Sequence, residues 1–378
     1  MMEQGHGRQG MDVRIVGTGG IAGWPGPGCR CASCQRARAS GISRAPSRVV
    51  IDGTVVLGGQ TPGWADGKRQ VPAGYQVTRL THAWEVTAPD GARLLCAVPG
   101  AGTPVVPPGT APYDLALLDL LDEPAGLGRL RAQGVITPAT VVAAPFADHR
   151  VRSEPELARR CRIWRVLLPR DGDTLTVPAR PAGALAGAEP RPFRVLVLGG
   201  ARSGKSEEAE LRVAAEPAVT YVATGPKLPD AAGGDGELAG ADEEWADRIA
   251  AHRARRPSWW QTVENTDLAG VLRPGGGTVL IDSVTTWLAA TMDECGAWDG
   301  SPAGAARLAA RIAEFHAAWR QTGAYVVAVS DETGFGIVPE TRSGRMFRDE
   351  LGRLNQLLAG ESDEVVLVAA GRALTLPD

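Results

Sequence analysis

The 378-residue chain lacks the features that mark membrane-spanning, secreted or nucleic-acid-binding proteins. No apolar run approaches the roughly 20 residues that span a bilayer. The first ten residues lack the apolar stretch of a signal peptide. The formal net charge is only -3, which gives no strong non-specific attraction to nucleic acid or to an anionic membrane. We therefore expect a cytoplasmic globular protein that begins its fold near Met11.

Cysteine and histidine are scarce, but three of the six cysteines fall close together. Cys29, Cys31 and Cys34 have C-x-C-x-x-C spacing, which in a chain without an export signal favours a metal site over disulfides. Zinc takes four soft or borderline ligands in a tetrahedron, so a fourth ligand must come from elsewhere. We expect a structural Zn²⁺ with His149 as that ligand and His82 as the second candidate. Three unmetallated thiols are the alternative.

Composition divides the chain into two domains, 11–177 and 193–378. Between them, 178–192 (PARPAGALAGAEPRP) is rich in Pro, Ala and Gly and is typical of a linker. Within the second domain, 230–247 holds seven acidic residues and no basic one. We interpret it as a solvated insertion.

The second domain alternates predicted helices with short aliphatic strands. The clearest strands are 194–198 (RVLVL), 278–282 (TVLID) and 324–330, and long helices are predicted over 303–321 and 344–358. This alternation predicts an α/β fold with a mainly parallel sheet and helices on both faces. The first domain has short strands, including 13–16, 48–51, 83–87 and 115–121, and a helix over 154–161.

A phosphate-binding loop follows the first strand of the second domain. Its sequence matches G-x-x-x-x-G-K-[ST] and lies between a strand and a helix, as the mechanism requires. Lysine in this loop reaches the β- and γ-phosphates, and the following hydroxyl ligates Mg²⁺. We expect Lys205 and Ser206 to have these roles, and Asp282 at the end of 278–282 to orient the Mg²⁺. The loop residues are Gly199, Gly200, Ala201, Arg202, Ser203, Gly204, Lys205 and Ser206.

His252 lies among four arginines in RIAAHRARRP. These cations disfavour the imidazolium form and would bind nucleotide phosphates. A neutral imidazole can attack an α-phosphate to form a phosphoramidate. A packing or surface role for His252 is the alternative.

The second domain resembles adenosylcobinamide kinase/adenosylcobinamide-phosphate guanylyltransferase. The resemblance rests on GGARSGKS, RIAAHRARRPSWWQTVE, IDSVTTWL and DETGFGIVPETRSGRMFRDELGRLNQLLA. It implies a P-loop enzyme that phosphorylates adenosylcobinamide with ATP or GTP and then transfers GMP from GTP through a guanylylated histidine, giving adenosylcobinamide-GDP in cobalamin biosynthesis. It also implies a homo-oligomer similar to a propeller-shaped trimer.

The same resemblance places His252 at the guanylylated position, and the phosphate loop at the family's own. It implies GTP contacts by Ala223, Thr224, Gly225, Arg253, Ala254, Arg255, Arg256, Glu264 and Asp282. One departure is the family's common N-E-x-G, which in this sequence is Asp331-Glu332-Thr333-Gly334.

The first domain, from VRIVGTGGIAGWPGPGCRCASCQRAR onward, resembles metallo-β-lactamase-fold (αββα) phosphodiesterases that cleave cyclic ribose phosphates. That resemblance implies a Cys₃His zinc site in which His149 matches the histidine. The family's H-x-H-x-D-H signature is absent, and Phe146 stands where a metal-ligating histidine is expected. We therefore expect a degenerate hydrolase domain without catalytic metals.

The sequence leaves three alternatives open. The second domain is a plain P-loop small-molecule kinase if His252 is structural. The first domain as an active metal-dependent phosphodiesterase is the second alternative, and the missing histidine cluster weighs against it. The third is that the first domain is a protein-interaction module.

Overall fold

The computed structural model describes residues 10–58, 71–177, 193–225, 256–273 and 276–377. It forms two compact units, Met1–Ala188 with Ala214–Pro217, and Glu189–Val213 with Ala218–Asp378. The expected linker 178–192, the acidic insertion 230–247 and His252 lie outside the described residues. No helix in the described ranges combines the length and apolarity needed to cross a membrane.

The first unit contains two sheets. One is antiparallel, in the order β3-β2-β1-β9, and the other has the order β4-β5-β6-β7-β8, with its last two pairings parallel. Burial alternates along MDVRIVG of β1, which is the pattern of a strand with one face in the core. The strands are β1 (Met11–Gly17), β2 (Arg48–Ile51), β3 (Val55–Gly58), β4 (Gln76–Leu80), β5 (Ala83–Thr87), β6 (Arg93–Ala97), β7 (Leu115–Leu117), β8 (Val141–Ala143) and β9 (Thr174–Val177).

The helices among the described residues of this unit are α1 (Ala32–Ala39), α2 (Ala125–Ala132) and α3 (Glu154–Trp164). The expected strand 115–121 stops at Leu117. Its continuation leaves the sheet at Asp119, whose carboxylate accepts the backbone N–H groups of Gly100 and Leu121.

The second unit has one seven-stranded sheet in the order β12-β11-β13-β14-β10-β15-β16. All of its pairings are parallel except β15 with β16. The parallel α/β sheet predicted from the sequence is confirmed. The strands are β10 (Phe193–Gly199), β11 (Thr220–Ala223), β12 (Gln261–Glu264), β13 (Thr278–Asp282), β14 (Tyr325–Asp331), β15 (Glu364–Ala369) and β16 (Arg372–Thr375).

Hydrophobic cores cover both faces of this sheet. Leu196 and Leu198 of β10 pack into one core, and Val195 and Val197 pack into the other. The second core includes Ala209 of α4 (Lys205–Val213). The first is built with α5 (Leu268–Leu272), α6 (Val284–Glu294), α7 (Pro302–Gln321) and α8 (Arg342–Ala359).

Candidate functional site

The phosphate loop connects β10 directly to α4. Gly204 has φ +96° and Arg202 has φ +55°, so two left-handed residues turn the chain between strand and helix. A side chain at Gly199 would lie 2.7 Å from the carbonyl oxygen of Val368, so only glycine fits there. The carbonyl oxygen of Ser203 accepts the N–H of Gly371 at 2.7 Å. The loop is thus held against the turn that connects β15 to β16.

Lys205 begins α4, and its ammonium group faces the end of β14. Its Nζ lies 2.8 Å from Oδ1 of Asp331 and donates to the carbonyl oxygen of Gly200 at 3.3 Å. Ser206, one residue further into the first helical turn, is half-buried. The sequence predicted the role of Lys205 but not its pairing with Asp331. In the sequence, Asp331 was notable only because it departs from the family's N-E-x-G pattern.

The other expected nucleotide contacts lie along the same edge of the sheet. Ala223 of β11 pairs in register with Glu264 of β12 on one side and with Asp282 of β13 on the other. Thr224 follows and is buried, its hydroxyl donating to the carbonyl oxygen of Ser283 at 2.6 Å. Since the carboxyl ends of parallel strands meet at one edge, these residues share that edge with the phosphate loop.

Asp282 contacts Tyr221, which in turn lies against a cation. The Tyr221 hydroxyl donates to Oδ2 of Asp282, and the Arg256 guanidinium lies 3.3 Å from the centre of the Tyr221 ring. Burial, reinforced by the charge of Asp282, raises the pKa of Tyr221 above its usual value, so the tyrosine remains a donor. Hydroxyl and carboxylate oxygens such as those of Ser206 and Asp282 are ligands that suit Mg²⁺.

Of the expected site residues, Arg253, Ala254, Arg255 and His252 lie outside the described ranges. The next described residue is Arg256, whose guanidinium lies over the ring of Tyr221. The remaining expected nucleotide contacts lie in the phosphate loop or on strand ends of the second unit.

In the first unit, three thiols lie at the start of α1. The sulfur atoms of Cys29, Cys31 and Cys34 all lie within 4.8 Å of one another. Cys31 is the N-cap of the helix, and its sulfur accepts the Cys34 N–H at 3.5 Å. That hydrogen bond is the main cause of a lowered pKa at Cys31, while burial raises the pKa of Cys34 to about 11. Three converging thiols match the chemistry of a zinc site.

Neither histidine expected as the fourth ligand belongs to this cluster of thiols. Within the described ranges the cluster that could hold a metal consists of the three cysteines alone. His149 is exposed. Nδ1 of His82 lies 3.1 Å from the carbonyl oxygen of Thr103.

Beside His149, three carboxylates of the first unit converge on one guanidinium. Arg150 forms ion pairs of 2.8 Å with each of Asp119, Asp122 and Asp148. The side chain of Asp119 is almost completely buried. The Arg150 guanidinium therefore supplies positive charge to these three carboxylates.

Comparison with known proteins extends over the second unit. Residues 195–376 match the family described as cobinamide kinase / cobinamide phosphate guanyltransferase. The chain is 38% identical over 188 residues to the bifunctional adenosylcobalamin biosynthesis protein CobU of Escherichia coli, covering 47% of this chain and 96% of that protein. It is similarly 37% identical to the protein of that name from Salmonella typhimurium. It is 38% identical over 192 residues to the bifunctional adenosylcobalamin biosynthesis protein CobP of Pseudomonas aeruginosa, covering 97% of that protein.

Proposed function

Because the chain belongs to the cobinamide kinase / cobinamide phosphate guanyltransferase family, we propose that its second unit catalyses two consecutive steps of cobalamin biosynthesis. The first is phosphorylation of adenosylcobinamide by ATP or GTP. The second is transfer of GMP from GTP, through guanylylated His252, to give adenosylcobinamide-GDP. The observation that carries the proposal is the phosphate loop itself, fixed between β10 and α4 with Lys205 at its end.

In the kinase step, the acceptor hydroxyl oxygen attacks the γ-phosphorus, and the nucleoside diphosphate leaves. The loop amides and the N-terminus of α4 attract the phosphate oxygens. Lys205 stabilises the charge that develops on the β- and γ-phosphates. Ser206 and Asp282 would hold Mg²⁺, which draws negative charge from those same phosphates when bound.

In the guanylyl step, a neutral imidazole nitrogen of His252 attacks the α-phosphorus of GTP, and pyrophosphate leaves. A phosphate oxygen of phosphorylated adenosylcobinamide then attacks the same phosphorus and releases the imidazole. Arg256 supplies positive charge on this edge of the sheet, stacked on Tyr221.

The direct test is incubation of the purified chain with α-labelled GTP and Mg²⁺, followed by denaturation. A phosphorus–nitrogen bond to histidine predicts protein-bound label that is lost in acid and stable in base. Absence of such label, with phosphoryl transfer to adenosylcobinamide intact, would reduce the second unit to a P-loop small-molecule kinase.

Replacing Lys205 with methionine tests the kinase step. Methionine is of similar length and carries no charge, so the variant loses stabilisation of the transferred phosphoryl group. We expect the turnover number for adenosylcobinamide phosphorylation to fall about 10²-fold or more. Arg311→Met removes a cation in the same unit that pairs with Glu314, and its turnover number should stay at the wild-type value. An unchanged rate in Lys205→Met would contradict the assigned role.

For the first unit we propose a structural zinc site in a degenerate metallo-β-lactamase-like domain. The supporting observation is the mutual approach of the Cys29, Cys31 and Cys34 sulfurs. A closed four-ligand site leaves no open position for a substrate. The ion cluster around Arg150 is consistent with a domain that does not depend on catalytic metals for charge balance at those carboxylates.

Metal analysis tests the zinc proposal. We expect about one Zn²⁺ per chain in protein purified without chelator, and thiolate-to-Co²⁺ charge-transfer absorption after cobalt substitution. Cys31→Ser should remove both signals. Cys96→Ser, a buried thiol of the same unit outside the cluster, is the matched control. Loss of metal in His149→Ala but not in His82→Ala would identify the fourth ligand, and full-length protein free of zinc would refute the site.

A further inference from the structure

The Lys205–Asp331 ion pair joins the first residue of α4 to the last residue of β14, beside the phosphate loop. The two side chains are 14% and 27% exposed, so the pair is largely shielded from solvent. In a shielded site the carboxylate acts strongly on neighbouring charges. Any phosphate that Lys205 binds must therefore approach a negative charge as well.

The backbone of Asp331 is held by the neighbouring strand β10 and by two helices. It is the last residue of β14 and pairs in register with Gly199, the first residue of the phosphate loop. Its backbone N–H donates to the Thr285 hydroxyl at 2.9 Å, and its carbonyl oxygen accepts from Nδ2 of Asn355 at 3.0 Å. Oδ1 of Asn355 in turn accepts from the Ser330 hydroxyl at 2.7 Å. The backbone at Asp331 is thus anchored to α6 and α8 and cannot easily move away from an incoming phosphate.

This arrangement affects metal-free and metal-bound nucleotides differently. A free triphosphate brings several negative charges beside Lys205, and the Asp331 carboxylate opposes them. A divalent cation bound to the triphosphate would offset two of those negative charges, and a nearby carboxylate would attract the cation. A neutral amide at this position would neither oppose the metal-free nucleotide nor attract the metal-bound one.

We propose that Asp331 is a specificity-determining residue that restricts the phosphate loop to magnesium-bound nucleotides. The inference rests on the proposed function, since it assumes that nucleotide binds at this loop. It goes beyond it by assigning to one side chain the selection between two forms of the same nucleotide. Asp331 acts through Lys205 and through the charge that it places at the end of β14.

The test compares nucleotide affinity with and without Mg²⁺ in the full chain. The probe is guanosine 5′-(α,β-methylene)triphosphate, which resists cleavage at the bond used in guanylyl transfer. Dissociation constants are measured by calorimetry in excess Mg²⁺ and in excess EDTA. We expect the wild-type protein to bind the probe much more tightly in Mg²⁺ than in EDTA. In Asp331→Asn the ratio of these two dissociation constants should fall about tenfold, mainly because the variant binds metal-free nucleotide more tightly.

Glu332→Gln is the matched control. It makes the same change of charge one residue away, where the carboxylate accepts the Gly334 N–H. This variant should keep the wild-type preference, and so should Asp331→Glu. Asp331→Ser is a second neutral variant in case Asp331→Asn does not fold.

The outcomes separate the two proposals. An unaltered magnesium preference in Asp331→Asn and Asp331→Ser would overturn the inference, and so would equal weakening of both nucleotide forms, which indicates a purely structural role. If wild type binds the probe in neither condition, it is nucleotide binding at this loop, and with it the proposed function, that fails.

Discussion

We expect His252→Ala to abolish protein-bound label from α-labelled GTP while leaving phosphorylation of adenosylcobinamide largely intact. The two steps break bonds at different phosphorus atoms, and only the guanylyl step needs a covalent nucleophile. Alanine offers no nitrogen to form the phosphoramidate, so the loss of label should be complete rather than partial. The readouts are gel-resolved label after denaturation and, separately, γ-phosphoryl transfer to the acceptor.

The matched control for this prediction is His316→Ala. His316 belongs to α7 in the same unit and is half-buried there, so its replacement tests for a general effect of removing a histidine. Label should persist at the wild-type level in this variant. Label that survives in His252→Ala would mean that another side chain is the nucleophile.

The role proposed for His252 rests on its sequence environment. Arg248, Arg253, Arg255 and Arg256 are its neighbours in the sequence, and cations close to an imidazole disfavour its protonated form. Arg256 is the one of these that the structure describes, and it stacks on Tyr221, which donates to Asp282. The arginine-rich segment therefore ends at the edge of the sheet where the phosphate loop also lies.

The elements that the sequence predicted best are those with a single strong determinant. Parallel strands buried on both faces are continuous aliphatic runs, and 194–198 and 278–282 are of that kind. The long helix expected over 303–321 forms as Pro302–Gln321, with Ser301 as its N-cap. Glycine and lysine spacing located the phosphate loop because backbone conformation and phosphate chemistry both restrict that sequence.

Elements without such a determinant were missed. Helix α1 (ASCQRARA) has no apolar periodicity, and it begins where the Cys31 sulfur caps its first turn. Strand β12 (QTVE) lies at an edge of the sheet and is mostly exposed, so it shows no hydrophobic pattern. Both depend on neighbours that are distant in sequence or on local caps that propensity alone does not reveal.

Asp331 was missed for a different reason. The sequence predicts which strands exist but not their order in the sheet, and chain order suggests no special relation between residues 205 and 331. In the structure, β14 lies between β13 and β10. This order brings Asp331 to Lys205 and leaves Asp282 one strand further away. The pairing is thus a property of topology, which local sequence patterns do not determine.

A buried ion cluster centred on Arg212 links α4 to the same sheet. The Arg212 side chain is only 1% exposed. It donates from Nε to Glu208 at 2.9 Å and through both terminal nitrogens to Glu364 at 2.8 and 2.9 Å. These contacts join α4, the helix that follows the phosphate loop, to β15, a strand that pairs with β10.

We expect Arg212→Met to lower the free energy of unfolding of the second unit by about 3–5 kcal/mol, because two shielded carboxylates lose their cation. Native-state hydrogen exchange of the β10 and β15 amides measures this unit's stability without reference to the other. Arg311→Met, which breaks an exposed pair with Glu314, should cost no more than about 0.5 kcal/mol.

Further variants separate lost charge from lost packing. Arg212→Lys keeps a charge but cannot reproduce the two-pronged contact with Glu364, so it should have an intermediate cost. Adding Glu208→Gln and Glu364→Gln to Arg212→Met should recover part of the loss, because the two side chains that faced the guanidinium are then neutral. No recovery would show that packing of the arginine stem, rather than charge balance, holds α4 and β15 together beside the phosphate loop.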